Sequence, residues 1–96
     1  MIIQGVAAYQ DRLVIHGRRQ RVYLTMCGYV ASLTPQEARD LADAIHEDDD
    51  GYKAGPVKYL HRDGRRALQY LGRSFILLAD GDEFAVVSAL QEEAGR

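Results

Sequence analysis

The chain is short of several residues that carry recognisable chemistry. Among its 96 residues there is one cysteine, Cys27, no tryptophan and no asparagine, and lysine occurs only at Lys53 and Lys58. A lone cysteine cannot close an internal disulfide, which makes a reducing cytoplasm the expected compartment. It leaves no Cys-x-x-Cys pair for zinc either. The three histidines, His16, His46 and His61, show no His-x-x-x-His spacing, so neither a metal nor any other cofactor is expected.

No apolar run comes near the ~20 residues of a membrane span. The opening MIIQGVAAY lacks a basic flank and is broken at Gln4 and Gly5, so it reads as a strand and not as a signal peptide. The signatures G-x-x-x-x-G-K-[ST], G-x-G-x-x-G and G-x-S-x-G are all missing, which removes the ordinary phosphate loops and the nucleophile elbow. Cys27 has no helix N-terminus behind it and no partner signature, and reads as a small buried thiol rather than a nucleophile. These absences turn the reading away from an enzyme. Few lysines beside many Arg, Ala, Gly and Asp is the bias of GC-rich codons, expected of a high-GC bacterium or its phages.

What is present is a strong alternation of charge beneath a net charge of −2. Residues 1–34 carry four arginines against one aspartate, and residues 35–50 carry seven acids against one arginine. Residues 51–78 return to six bases against one acid, and residues 79–96 to five acids against one base. The basic segments are those that read as strands and the acidic ones those that read as helices or linkers. Such segregation speaks to partners rather than to fold.

The best-determined stretch is VASLTPQEARDLADAIHE, residues 30–47. Thr34 is an N-cap, Pro35 sits at the first helical position where its missing N–H costs nothing, and Glu37 completes a T-x-x-E capping box. Ala38, Leu41, Ala42 and Ile45 form a narrow apolar stripe of small residues, which predicts a helix packed closely on a flat sheet. The acidic HEDDDGYK that follows reads as an exposed linker that frays the last helical turn, because its acids oppose the helix dipole. A calcium loop is excluded there, since His46 stands where the first aspartate belongs and Val57 where the bidentate glutamate belongs.

Strands are expected over residues 2–9, 13–16, 21–27 and 29–33 in the first half, with turns at Gln10-Asp11 and Gly17–Gln20. Gly28 marks a bulge or a tight turn. In the second half, residues 57–61 and 66–71 flank a D-G hairpin turn, and FILLA, residues 75–79, reads as a central strand. Asp80 or Asp82 caps a second helix whose buried side carries Phe84, Val87 and Leu90. The halves read alike: strand, Arg-rich turn, strand, glycine, strand, capped helix. The expected domain is therefore a single α+β unit over residues 1–96, with ββ(β)α pseudo-repeats at 12–47 and 57–93. Its expected form is one antiparallel sheet of five or six strands with two helices on one face.

Two surfaces follow. Arg18, Arg19 and Arg21 flank one turn and Arg62, Arg65 and Arg66 another. Converging at one end of the sheet, their guanidinium forks would suit the phosphates of a nucleic acid, with Tyr23, Tyr59 or Tyr70 offering stacking faces. Phe84, Val86, Val87 and Leu90 give the second helix more apolar surface than one core needs, and the surplus is expected to face a second copy in a homodimer. The favoured function is a non-enzymatic, regulatory binding module that docks on a protein partner. The alternative is a nucleic-acid-binding module using the arginine turns.

Overall fold

In the computed structural model, residues 2–4, 12–26, 28–77 and 81–95 are described. The first half builds β1 (Ile2–Gln4), β2 (Arg12–Arg18), β3 (Arg21–Met26), β4 (Tyr29–Leu33) and α1 (Pro35–Glu47). The second builds β5 (Lys53–Ala54), β6 (Val57–Arg62), β7 (Arg65–Tyr70), β8 (Arg73–Ile76) and α2 (Gly81–Ala94).

Every strand pairs antiparallel with its neighbour in sequence, and the chain makes two four-stranded sheets, β1-β2-β3-β4 and β5-β6-β7-β8. This corrects the expectation of one sheet of five or six strands. After β4 the chain enters α1, about 20 Å of helix at 1.5 Å per residue, and β5 then starts a new ladder on β6 at Ala54↔Val57. The α+β class and the antiparallel pairing stand. Each sheet is followed by one helix, in the same order in both halves.

Both Arg-flanked hairpins close through two-residue turns with left-handed backbone at each central residue: Arg19 and Gln20 (φ 52° and 60°) and Asp63 and Gly64 (φ 52° and 75°). Such turns match the twist of the flanking strands. Strand β2 accordingly runs on through Gly17 to Arg18, residues the sequence reading gave to the turn. The glycine question at Gly28 resolves as a turn, with Met26 opposite Tyr29.

Both helices contact the first sheet, and α1 also contacts the second. Helix α2 lies across β1, β2 and β3, whereas α1 touches β3 and β4 on one side and β5 and β6 on the other. They run antiparallel. Arg39 near the start of α1 donates to the last-turn carbonyl of Ala94 (3.4 Å), and Ile45 and His46 near its end share a hollow with Glu83 and Phe84. Small buried residues, Ala38, Ala42 and Ala44 on α1 and Ala89 and Ala94 on α2, allow this close approach. One apolar cluster joins both sheets and both helices, with Leu24, Leu33, Leu41, Ile45, Tyr59, Leu68, Phe75 and Leu90 at its centre. The sheets also meet at their hairpin tips. The Tyr29 and Tyr70 rings contact edge-to-face at 6.5 Å, and the Arg73 guanidinium sits 5.1 Å over the Tyr29 ring.

Two further expectations change. Strand β8 is an edge strand and not a central one. The buried face of α2 is Val86, Ala89, Leu90, Glu93 and Ala94, while Phe84 is 76% exposed. Apolar residues occur all round that helix between 84 and 90, so periodicity alone could not choose its inner side. Asp80, Cys27 and the continuation of the first strand to residue 9 lie outside the described residues.

Candidate functional site

The acidic segment after α1 is neither frayed nor free. Helix α1 closes with Asp48 in the left-handed region (φ 57°), its N–H reaching Ile45 O at 3.2 Å and that of Asp49 reaching Ala44 O at 2.8 Å. These bonds satisfy carbonyls that a helix end otherwise leaves open. The Asp48 carboxylate turns onto the second sheet, where Oδ1 accepts from the Tyr59 hydroxyl at 2.6 Å and from His61 Nε2 at 2.5 Å. Arg66 Nε lies 3.7 Å from the same oxygen, and the Arg66 guanidinium donates to Glu83 on α2 at 2.6 Å. Asp50 accepts from the His61 backbone N–H at 2.9 Å. The acids that oppose the helix dipole are thus matched by donors from β6 and β7.

The electrostatics of this cluster are one-sided. The Tyr59 hydroxyl, then His61 and the charge of Arg66, hold the Asp48 carboxyl below its ordinary range, against a smaller opposing effect of desolvation. Burial, and then the hydrogen bond to Asp48, push the Tyr59 phenol well above its ordinary range. With Asp48 ionised, His61 Nε2 carries the proton and donates it. Neither Asp48 nor Tyr59 is poised to exchange a proton near neutral pH, which is what a general acid or base requires. The cluster pins the end of α1 to β6, β7 and the start of α2.

Beside it, the antiparallel helices leave a hollow of about 410 Å³. Its walls include Ile45 and Val87, its rim carries Asp43 and Glu83 against His46 and Arg66, and Phe84 stands at its edge. Of the four residues proposed for a dimer face, only part remains available. Val86 and Leu90 are wholly buried inside the chain and present no surface to a second copy. Val87 is half-buried, and Phe84 projects.

The six arginines are divided between the two sheets. Arg18 and Arg19 line one hollow, with Val14, His16, Tyr23 and Thr25, while Arg66 lines the other hollow with Glu83. Arg21 donates to Ser32 at 2.8 Å and Arg62 to Ser74 at 3.1 Å. Arg65 is exposed. None of the described hollows is lined by all six. Among the described residues no group of His, Cys, Asp or Glu is arranged to hold a metal ion, and no helix is long and apolar enough to cross a membrane.

Sequence reasoning missed Asp48 and Glu93, and Tyr59, expected to offer a stacking face, is wholly buried with its hydroxyl on Asp48. Asp48 had one local signal: an acid directly after a helix is unfavourable unless something claims it. Glu93 had none, since it occupies an ordinary position in an acidic tail. Its carboxylate accepts from the Gly17 N–H at 3.1 Å, and it is only 8% exposed. Compared with protein-family models, curated proteins and solved structures, the chain matches none, so its function is read from its own geometry.

Proposed function

We propose that the chain is a small, non-enzymatic binding module that works by protein–protein contact, engaging first a second copy of itself and, as a dimer, modulating the protein on which it docks. The observation that carries this is Phe84, 76% exposed beside the hollow between α1 and α2. A two-fold contact sets the same patch of each copy against the other, and a projection beside a receptacle makes such a patch self-complementary. Phe84 and the Ile45–Val87 wall are those two parts, side by side. The rim carries both signs, Asp43 and Glu83 with His46 and Arg66, so it complements itself when turned about a two-fold axis. A buried phenylalanine removes roughly 150–250 Å² from water and is suited to anchor such a contact. The non-enzymatic reading is supported by the tyrosine and carboxylate of the Asp48 cluster, whose proton affinities are displaced away from neutrality in opposite directions.

The test is solution mass by light scattering across a concentration series. Wild type is expected to dimerise, Phe84→Asp to dissociate it roughly thirtyfold more readily, as loss of an anchor worth about 2 kcal/mol implies, and Leu71→Asp to leave it unchanged. Leu71 is 65% exposed on a hairpin tip of the second sheet and serves as the apolar control.

A further inference from the structure

We infer that the outer face of the β2–β3 hairpin binds the phosphates of a single-stranded nucleic acid. Strands β2 and β3 bury Leu13, Ile15, Val22, Leu24 and Met26 on one side. Alternation sends Val14, His16, Arg18, Tyr23 and Thr25 to the other side, where with Arg19 they line a shallow hollow of about 510 Å³. Among the described residues no carboxylate lines it. Glu93 lies 4.0 Å from His16 Nδ1, but it is buried and accepts from the backbone N–H of Gly17.

The two hairpins of the chain supply an internal comparison. Each sets two arginines directly across the ladder, Arg18 opposite Arg21 and Arg62 opposite Arg65, a pairing of like charge that destabilises a sheet. The second hairpin carries acids beside its arginines, although among the described residues Arg62 bonds only Ser74 and Arg65 stays exposed. Asp63 sits in the turn, and the adjacent Arg66 is held by Glu83 and Asp48. In the first hairpin the turn is Arg19-Gln20, which adds a third guanidinium and no acid. Both of its residues hold left-handed backbone, where Asn-Gly is the ordinary solution. A sheet that gathers guanidinium groups with no acidic partner among the described residues, at the cost of its own turn, is arranged for an anion from outside the chain.

The form of the site chooses the anion. Guanidinium forks match phosphate oxygens, and Tyr23, directly opposite His16 and half-buried, offers a ring at the floor on which a base can stack. An open sheet face with an aromatic floor suits an extended strand better than a free ion. The three guanidiniums of this hairpin match the few phosphates of a short single strand better than the long run of phosphates along a duplex.

The experiment is fluorescence anisotropy of a short labelled oligothymidylate titrated with the whole chain, at low and at physiological salt. Arg18→Gln with Arg19→Gln is expected to weaken binding about tenfold or more, and to lower the salt slope by about 1.4, or ~0.7 for each phosphate contact on a single strand. Arg62→Gln with Arg65→Gln is expected to change it less than about twofold, within the reach of long-range charge alone. Arg19→Asn with Gln20→Gly guards against misfolding: it gives the turn its preferred residues and should still weaken binding while the fold holds. The proposal is overturned by absence of binding at low salt or by equal losses from the two arginine pairs. Displacement of the oligomer by micromolar inorganic phosphate would also overturn it, by assigning the hollow to a small anion. So would a change of oligomeric mass in the first double variant with unchanged oligonucleotide binding, because those arginines would then serve an acidic helix of a second copy.

Discussion

Gly17 lies so close to the last turn of α2 that a Cβ on it would stand 2.2 Å from the Glu93 carbonyl oxygen, while its own N–H donates to the Glu93 carboxylate at 3.1 Å. Strand and helix meet backbone to backbone here, and neither can yield without moving a whole element. Gly17→Ala is therefore expected to destabilise the fold by about 1–3 kcal/mol, the range for overpacking a closed contact. Gly95→Ala meets only ordinary contacts, at 3.5 Å and beyond, and is the near-neutral comparison. Thermal unfolding of the two variants beside wild type checks both.

The Asp48 cluster gives stability a defined acid dependence. Because the folded carboxyl titrates below its unfolded value, its contribution is fully present above the ordinary carboxylate range and is lost as pH falls through the depressed folded value. Asp48→Asn keeps a residue that tolerates left-handed backbone and removes the charge. Wild type should exceed this variant in melting temperature at pH 7, and the gap should close on acidification toward pH 2–3. A gap independent of pH would assign the cost to shape alone.

Tyr59 acts at the other end of the scale. Its phenol is raised in the folded chain, so its contribution is intact below the unfolded value, about 10, and is lost as pH climbs beyond it. Tyr59→Phe is expected to lower the melting temperature by a few degrees at pH 7, through loss of the hydrogen bond to Asp48. It should also flatten the decline above pH 10. Melting curves between pH 7 and 11 carry the comparison.

The Arg19-Gln20 turn holds two non-glycine residues in left-handed backbone, which costs roughly 1 kcal/mol each relative to residues suited to it. Arg19→Asn with Gln20→Gly should raise stability by about 1–2 kcal/mol, read as a higher denaturant midpoint with an unchanged slope. No gain would mean that contacts of these side chains already offset the strain.

What the sequence made legible follows from how local each signal is. The Thr34–Glu37 capping box forms as expected, with Thr34 N–H donating to Glu37 at 2.8 Å and Glu37 N–H to Thr34 at 3.0 Å, because its partners lie three residues apart. The alternation of Val22, Leu24 and Met26 gave the inner face of β3 correctly, and the stripe of Ala38, Leu41, Ala42 and Ile45 that of α1. The division into two sheets was not legible. It depends on α1 touching strands of both halves, and alanine tolerates a neighbour on either side without announcing one. The face of α2 was misread because Phe84 and Val86 are equally apolar and only the packed partner distinguishes them. At the candidate sites, the arginines were visible as residue types, but their division between two sheets was not. The joining of Asp48, Tyr59, His61, Arg66 and Glu83 spans four elements and could not be read from spacing.

The account rests most heavily on the exposed phenylalanine of α2 as a contact point. Light scattering of the wild-type chain and of Phe84→Asp, at equal high concentration, tests it most directly. The expected result is a mass about twice 10.8 kDa for wild type and 10.8 kDa for the variant, with unchanged circular dichroism. A wild-type mass of 10.8 kDa at every concentration, or a variant as dimeric as its parent, would contradict the account.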